Sequence, residues 1–415
     1  MANRLAVAER LRATGRRARN STFASLAVRD FRLLWFGLLI LFGGSQIRMV
    51  ASGYLAYDLT SSPLLLSFVA VGYAVPMLSL ALIGGAVADR FDRRRLVQVA
   101  QAMFSVVALA VGLAIQFGEV TWVHLLGSSA LQGMLWALLV PARQAMIPGL
   151  VGRRLTTNAL SLMAAGFSLT TLVGPAVGGW LYGVFGPAVT YYVVAAMGIG
   201  AVWMTGRITT KYVPAVGGTQ QAAIRQGLTY IRGQPDIVML FVISVVYALV
   251  AMPFRLILPV FVVDLYQQGP EILGLLVTAM GVGSVGAAVV VANVGPGRRG
   301  LILIGGAIVA SAAILVMSGL AVLWVGLACM LVLGIGDAIR KALNQAVMLE
   351  IADEEYHGRV ASVFMISFGL VPLGALPAGA LAEAFGGQVA GAIMGGFMLL
   401  VSLILLTNRR LQTLR

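Results

Sequence analysis

The stretch Gly84–Arg95 reads GGAVADRFDRRR and joins the end of one apolar run to the start of another. It brings two glycines, two acids and four arginines close together. The apolar runs on either side are about 20 residues long or more, which is enough to cross a hydrocarbon core of about 30 Å. The stretch is therefore predicted to be a short loop at a membrane surface, between two spanning helices.

The composition of the whole chain agrees with a membrane environment. Of the 415 residues, 60% are hydrophobic and 11% are charged, and the mean hydropathy is +0.94. Soluble domains carry about 25% charged residues. Because spanning segments must satisfy their backbone hydrogen bonds internally, these runs are predicted to be helices. The sequence thus predicts an all-α membrane protein with twelve transmembrane helices, at residues 33–57, 64–87, 96–116, 121–147, 158–182, 187–206, 237–262, 271–293, 301–319, 321–347, 359–382 and 387–407.

The basic residues predict the orientation of these helices. With the N-terminus in the cytoplasm, 24 of the 29 Lys and Arg residues fall in cytoplasmic segments and the other five lie within predicted helices. The outer loops then hold no basic residue, which is the asymmetry that the positive-inside rule describes. We expect both termini to be cytoplasmic and the protein to lie in the bacterial inner (cytoplasmic) membrane.

The chain also shows an internal repeat. At an offset of 201 residues, Gly133 aligns with Gly334 and Gly178 aligns with Gly379. The longest interior connection divides six predicted helices from six, and it includes an amphipathic segment predicted to lie along the membrane. The predicted divisions are a basic N-terminal segment at 1–32, a six-helix bundle at 33–206, a cytoplasmic linker at 207–236, a second bundle at 237–407 and a tail at 408–415.

The opening stretch fits the pattern G-x-x-x-D-R-x-x-R-R, at Gly85, Asp89, Arg90, Arg93 and Arg94. This pattern resembles the signature loop between helices 2 and 3 of the major facilitator superfamily. The resemblance implies two pseudo-symmetric six-helix bundles and a cytoplasmic latch between them, with the acid facing the positive N-terminal end of helix 11 near Gly358 and Arg359. The arginines are expected at the lipid boundary. Asp92 stands where the family usually has glycine, and the second copy at 293–300 lacks the acid, so we expect a lopsided latch.

A second pattern lies in predicted helix 5, where residues 172–179 read LVGPAVGG. It resembles the G-P-x-x-G-G element of the antiporter branch of the superfamily, through Gly174, Pro175, Gly178 and Gly179. The alternative is that these small residues serve helix packing alone. In predicted helix 4, Ser129 replaces the arginine of the R-x-x-Q-G pattern, so no proton-coupling role carries over. The runs at 141–150 and 57–66 resemble the bacterial exporter branch that includes siderophore exporters and macrolide-type drug pumps.

Two arginines lie deep within predicted helices. Arg48 precedes Asp58 by ten residues in helix 1, and Arg255 precedes Asp264 by nine in helix 7. At about 1.5 Å per residue, both lie roughly 13–15 Å from the outer end. The resemblance implies that these helices line a central cavity, so an anionic or acceptor-rich substrate is expected; the alternative is that backbone carbonyls or an acid hold them. The other substrate-binding candidates are Gln46, Gln132, Trp136 and Tyr247.

Predicted helix 10 carries the one acid that lies deep inside a predicted helix. Asp337, Arg340, Lys341 and Asn344 share one helical face. Asp337 is the first candidate for a carboxylate that gains and loses a proton during transport, and static ion pairs with Arg340 or Lys341 are the alternative. The remaining candidates are Asp58 and Asp264 for proton coupling and Arg143 for an ion pair.

Enzyme chemistry finds little support in the sequence. The two histidines are far apart, His124 near an outer helix end and His357 in a cytoplasmic turn, and no phosphate-binding G-x-x-x-x-G-K-[ST] pattern occurs. We therefore expect no enzyme but a secondary transporter: a proton-coupled exporter, or antiporter, of amphipathic anions such as siderophores or lipid-like compounds, working by alternating access. The alternatives are a broad exporter of cationic or neutral drugs and a membrane sensor or scaffold that does not transport.

The expected partners follow from this function. They are a small-molecule substrate and the lipid bilayer, because the basic clusters at helix ends suit anionic headgroups. No nucleic acid, metal or cofactor is expected, and the proton gradient is the expected energy source. We expect the protein to function as a monomer.

Overall fold

The computed structural model describes residues 22–210, 230–292, 299–353, 356–357, 360 and 370–407. Within these ranges the chain forms helices and turns and no strand. Ten of the described helices are long and apolar enough to cross a membrane, and Leu373–Phe385 is a shorter apolar helix. The total of twelve stays a prediction, because residues 361–369 of predicted helix 11 lie outside the described part.

The first-half helices are α1 (Arg29–Thr60), α2 (Pro63–Arg90), α3 (Arg93–Gln116), α4 (Trp122–Val151) and one stretch, Thr156–Gly206, whose arms before and after Gly186 we name α5 and α6. The second-half helices are α7 (Pro235–Phe254), α8 (Pro270–Ala292), α9 (Arg299–Gly319), α10 (Leu323–Ile351), α11 (Val371–Phe385) and α12 (Gly387–Leu406).

Corresponding glycines of the two halves have similar backbone angles and similar close contacts. Gly186 between α5 and α6 has φ 79°, and Gly386 between α11 and α12 has φ 81°, a backbone conformation that residues with a side chain rarely adopt. Gly133 of α4 and Gly334 of α10 pack so closely that an added Cβ would lie 1.9 Å from the carbonyl oxygens of Tyr73 and Met280, in α2 and α8 respectively. Equivalent helices therefore make equivalent contacts in both halves.

The helix 5 pattern packs against the other half of the molecule. A Cβ on Gly179 would lie 2.4 Å from the carbonyl oxygen of Pro270, and one on Gly274 would lie 2.3 Å from that of Pro175. Gly174 and Gly178, in contrast, pack against Gln46 and Ile47 of α1. The small residues of α5 thus allow its backbone to lie in close contact with α1 on one side and with α8 on the other.

Polar contacts join the halves at the predicted outer side. The hydroxyl of Tyr57, near the end of α1, donates to Asp264 at 2.6 Å. Glu383, near the end of α11, accepts from the hydroxyl of Ser62 at 2.7 Å and from the backbone N–H of Leu64 at 3.3 Å. Together with the α5–α8 contact, these bonds close the molecule at the predicted outer side.

The chain that continues α7 is irregular and carries Arg255; the whole span Pro235–Leu265 is named the α7 segment. The α-helix stops at Phe254, a tight turn covers Arg255–Ile257, and a wider turn covers Phe261–Leu265. Pro253 and Pro259 flank the break, and proline removes a backbone hydrogen bond from a helix. Such breaks near the middle of a membrane helix are tolerated where the chain lines a cavity.

The stretch quoted at the start is mostly helical and not a loop over its whole length, because α2 continues to Arg90 and α3 begins at Arg93. The side chains of Gly85, Asp89 and Arg90 lie outside the described residues. Asp92 is the N-cap of α3 and accepts from the backbone N–H of Arg94 at 2.9 Å. Arg93 is buried rather than at the lipid boundary, and its guanidinium donates to the carbonyl oxygen of Ala145 at 3.2 Å.

Arg94 donates to the carbonyl oxygen of Gly206, the last residue of α6. The two described arginines of the motif therefore hold α3 to other helices of the same half. The expected latch partners at Gly358 and Arg359, the amphipathic part of the linker at 211–229 and most of the second copy of the loop, residues 293–298, lie outside the described residues.

Candidate substrate site

A cavity of about 280 Å³ lies between the two halves. Its lining comes from α1, α2 and α4 of the first half and from the α7 segment, α8 and α11 of the second. The polar residues that line it are Ser45, Gln46, Arg48, Ser52, Tyr73, Ser129 and Arg255. The contacts at the predicted outer side lie beyond this cavity, so the cavity is the candidate site for a substrate.

The lining of this cavity is rich in hydrogen-bond donors and positive charge. Arg48 and Arg255 contribute two permanent cations, and among the described residues that line the cavity none is Asp or Glu. The remaining wall is apolar, with residues such as Leu66, Val69 and Val277. The arrangement suits a molecule that combines an acidic or acceptor-rich group with an apolar body.

Arg48 is nearly withdrawn from solvent and lacks a carboxylate partner in the described part of the chain. Its exposed fraction is 6%, and its Nε has no hydrogen-bond partner. The side chains of Tyr73 and Tyr191 lie near the guanidinium. A buried charge that no acid compensates is costly, so a ligand that brings negative charge to Arg48 is strongly favoured.

Arg255 reaches across the cavity toward the first half. Its Nη2 lies 3.3 Å from the sulfur of Met49, the residue that follows Arg48 on α1. The negative charge of Asp337 also acts on Arg255. Arg255 therefore links the cavity to the charged face of α10.

That face of α10 forms a buried ion cluster. Asp337 is 2% exposed, and its two oxygens pair with Arg340 at 3.1 Å and with Lys341 at 2.7 Å. The guanidinium of Arg340 lies 3.7 Å from the ring centroid of Tyr247 on α7. Two cations of the same helical face therefore share the carboxylate of Asp337.

Asn344, one turn further along α10, ties this helix to α7. Its amide donates to the carbonyl oxygen of Leu240 at 3.1 Å and to the hydroxyl of Ser244 at 2.5 Å. If α10 moves relative to α7, these hydrogen bonds must break; if they stay intact, the two helices must move together. The bonds thus connect the helix that bears the ion cluster to the backbone of its neighbour.

The structure separates the predicted substrate-binding residues into two groups. Arg48, Arg255 and Gln46 line the cavity. Gln132 and Trp136 are buried in α4 outside its lining, and Tyr247 belongs to the ion cluster. Hydropathy and depth placed all of these residues in the interior, but the direction in which each helix turns its side chains decides which of them reach the cavity.

Other predicted site residues lie elsewhere. Asp264 accepts the bond from Tyr57 at the outer side, and Asp58 is exposed. Arg143 lies over the ring of Phe42, 4.7 Å from its centroid, and pairs with no carboxylate in the described ranges, contrary to the expected ion pair. The hydrogen bond from Tyr57 and the contacts of Glu383 were not predicted from the sequence. The available signal was a Tyr or Ser at one predicted outer helix end and an acid in another outer loop, which could form a hydrogen bond.

Comparison with known proteins agrees with this architecture. A staphyloferrin A transporter of Staphylococcus aureus (strain NCTC 8325 / PS 47) is 22% identical over 388 residues, which cover 90% of this chain and 95% of that protein. The multidrug efflux pump Tap of Mycolicibacterium fortuitum is 28% identical over 410 residues, covering 92% and 96%. The crystal structure of the nucleoside transporter NupG shares the fold, with a TM-score of 0.70 at 13% identity over 91% of this chain and 97% of that one.

The family match extends over nearly the whole chain. Residues 20–415 match the profile of the transmembrane secretion effectors, one of the families of the major facilitator superfamily. The match includes both helical halves, the linker between them and every residue that lines the cavity. The chain therefore belongs to the transmembrane secretion effector family, and it is a membrane transporter with the all-α major facilitator fold.

Proposed function

We propose that this transporter exports amphipathic anions from the cell in exchange for protons. The substrate class is an acidic or oxygen-rich molecule with an apolar body, such as a siderophore or a lipid-like acid. The observation that carries the proposal is the cavity between the halves, which holds Arg48 and Arg255 and no described carboxylate. The relative named as a staphyloferrin A transporter supports a siderophore as one such substrate.

The charges near the cavity also constrain how a proton is exchanged for an anion. Protonation of Asp337 would remove the negative charge that pairs with Arg340 and Lys341. This would strengthen the attraction for an anion. A proton on Asp337 would therefore favour binding of the anion and would not displace it. Exchange then requires that the two ligands bind in opposite conformations, with Asp337 protonated while the empty carrier returns.

The proposal is tested by flux through the purified protein in proteoliposomes with an imposed proton gradient. The probes are carboxyfluorescein as an anion, a citrate-based siderophore, and ethidium as a cation. Transport of the two anions is expected, and Arg48→Gln and Arg255→Gln should each weaken their binding about 30-fold or more, because each removes a charge-assisted contact.

Arg207 offers a matched control, since it lies over the ring of Trp203 at the end of α6, away from the cavity. Arg207→Gln should transport like the wild type. Export of ethidium by both cavity variants at the wild-type rate, with no competition from either anion, would reject the anion proposal.

A second candidate is a broad exporter of cationic or neutral drugs. It is favoured by the similarity to the multidrug efflux pump Tap and by the apolar part of the cavity wall. For such a substrate, direct competition with a proton at Asp337 is the simple form of coupling, since both ligands are cations. The pH dependence of binding therefore separates the candidates: anion binding strengthens as Asp337 is protonated, and cation binding weakens.

The remaining features of the proposal follow from the sequence. We place both termini in the cytoplasm and the protein in the bacterial inner membrane, working as a monomer with the proton gradient as its energy source and without a cofactor. Reporter fusions at each terminus test the orientation. Activity of a one-copy nanodisc preparation tests the monomer, and collapse of flux with a protonophore tests the energy source.

A further inference from the structure

Arg143 on α4 is a buried cation that the substrate cavity does not use. Its exposed fraction is 8%, and its Nε and Nη1 have no hydrogen-bond partner among the residues that the structure describes. Its described contact is with the ring of Phe42, 4.7 Å away. A guanidinium buried in this way without a counter-charge is unfavourable, because the ring replaces little of the lost hydration.

Aromatic side chains from three helices pack together at Phe42, the ring that Arg143 contacts. The ring of Phe42 on α1 stacks on Trp136 of α4, with centroids 4.9 Å apart and an angle of 26°. Phe167 of α5 meets Phe42 edge to face at 5.0 Å and 83°. Phe167 is 48% exposed, so the edge of the aromatic group is accessible while its centre is buried.

One face of α4 connects this group to the central cavity. Ser129, Gln132, Trp136 and Arg143 are spaced by three, four and seven residues, which places them in one stripe along the helix. Ser129 lines the cavity. Gln132 is fully buried, and neither atom of its amide has a hydrogen-bond partner within the described protein. Two buried polar side chains with unused hydrogen-bonding capacity thus lie on the stripe that begins at the cavity.

The stripe runs from the cavity toward the predicted cytoplasmic side. Phe42 precedes Arg48 by six residues on α1, or about 9 Å, and Arg143 follows Ser129 by fourteen residues on α4. Helical side chains point back toward the N-terminus, so the guanidinium of Arg143 is directed toward the cavity. The aromatic group therefore lies between the cavity and the side from which an exported molecule enters.

We infer that Arg143, with Phe42, Trp136 and Phe167, forms a second binding site for aromatic or amphipathic anions, which an anion occupies on the way to the cavity. Its role as a loading site rests on the proposed export of anions, but binding at Arg143 does not. The guanidinium would hold the acidic group, and the rings would hold the apolar body by stacking.

The test uses the full chain in nanodiscs and 4-iodobenzoate, an aromatic carboxylate whose iodine quenches nearby tryptophan fluorescence. The fluorescence of Trp136 is obtained as the difference in tryptophan fluorescence between the wild type and Trp136→Phe. Saturable quenching of this component is expected, and 4-iodobenzamide, which lacks the charge, should quench it weakly. Arg143→Gln should raise the dissociation constant about 30-fold or more, and Phe167→Ala about 2- to 10-fold.

Control variants separate this site from the cavity and from a structural role. Arg207→Gln removes another arginine that lies over an aromatic ring and should leave the quenching unchanged. Arg48→Gln should also leave it unchanged even where it abolishes transport, so failure of the proposed function and failure of this site are distinguishable. Arg143→Gln should fold at least as well as the wild type, because it removes an uncompensated buried charge.

Three results would overturn the inference. The first is binding that does not depend on charge, seen as an unchanged dissociation constant in Arg143→Gln or as equal quenching by the benzamide. The second is loss of the Trp136 signal in Arg48→Gln, which would place the probe in the cavity. The third is a lower unfolding temperature or misfolding of Arg143→Gln, which would identify Arg143 as a structural anchor for Phe42.

Discussion

Replacing Gly179 with alanine should open the outer side of the transporter. Gly179 of α5 touches the start of α8, in the other half of the molecule, and an added Cβ would lie 2.4 Å from the carbonyl oxygen of Pro270 and 3.0 Å from the Cα of Glu271. These are backbone atoms, which cannot rotate away. Favourable carbon contacts need about 3.5 Å, so the two helices must separate by roughly 1 Å.

The energetic cost falls on one conformation. Overpacking of a close contact costs about 1–3 kcal/mol. Because the contact joins the two halves, this cost is paid when the outer side is closed and is relieved when α5 and α8 part. The ratio of closed to open molecules should therefore fall about 5- to 150-fold, while the folding of each half is unchanged.

Spin labels on the two halves would measure this shift. Leu59 and Gln268 are exposed near the outer ends of α1 and the α7 segment, and both can be replaced by cysteine in a Cys329→Ser background. Gly179→Ala should move the distance distribution to longer values. Gly127→Ala is the matched control, because nothing lies within 4 Å of its added Cβ. Equal distributions for the two variants would refute the steric argument.

Three further predictions concern charged and polar contacts. Asp337→Asn should abolish flux driven by a pH gradient while binding of an anionic probe is kept or strengthened, because the ion cluster loses its negative charge; full pH-driven flux in proteoliposomes would place coupling elsewhere, for example at Asp264. Tyr57→Phe deletes the 2.6 Å bond to Asp264, worth about 1.5 kcal/mol, so the same spin-label distances should show a roughly tenfold shift toward open molecules, and an unchanged distribution would contradict the role of this bond. Asp92→Ala should cost about 0.5–2 kcal/mol and speed hydrogen exchange at the start of α3, where Asp92 accepts from Arg94, whereas Asp92→Asn keeps the acceptor; equal exchange in both would argue against the cap.

The sequence was sufficient for those properties that depend on residues close together along the chain. Apolar runs predict membrane-spanning helices because a helix satisfies its own backbone and needs only length and hydropathy to cross a bilayer. The glycines aligned at an offset of 201 residues indicated two similar halves, and the structure has equivalent close contacts at Gly133 and Gly334. The depth of Arg48 and Arg255 followed from counting residues to the helix ends.

The tertiary structure decided which of these residues meet. Arg48 and Arg255 line one cavity because the rotation of each helix, set by its packing against neighbours, turns both side chains inward. Gln132 and Trp136, also buried, lie on a stripe that leads away from that cavity, and Arg143 faces an aromatic ring where an acid was expected. Burial energy depends on how much apolar surface a helix hides and is nearly the same for many rotations, so only the shape of the neighbouring helices selects among them.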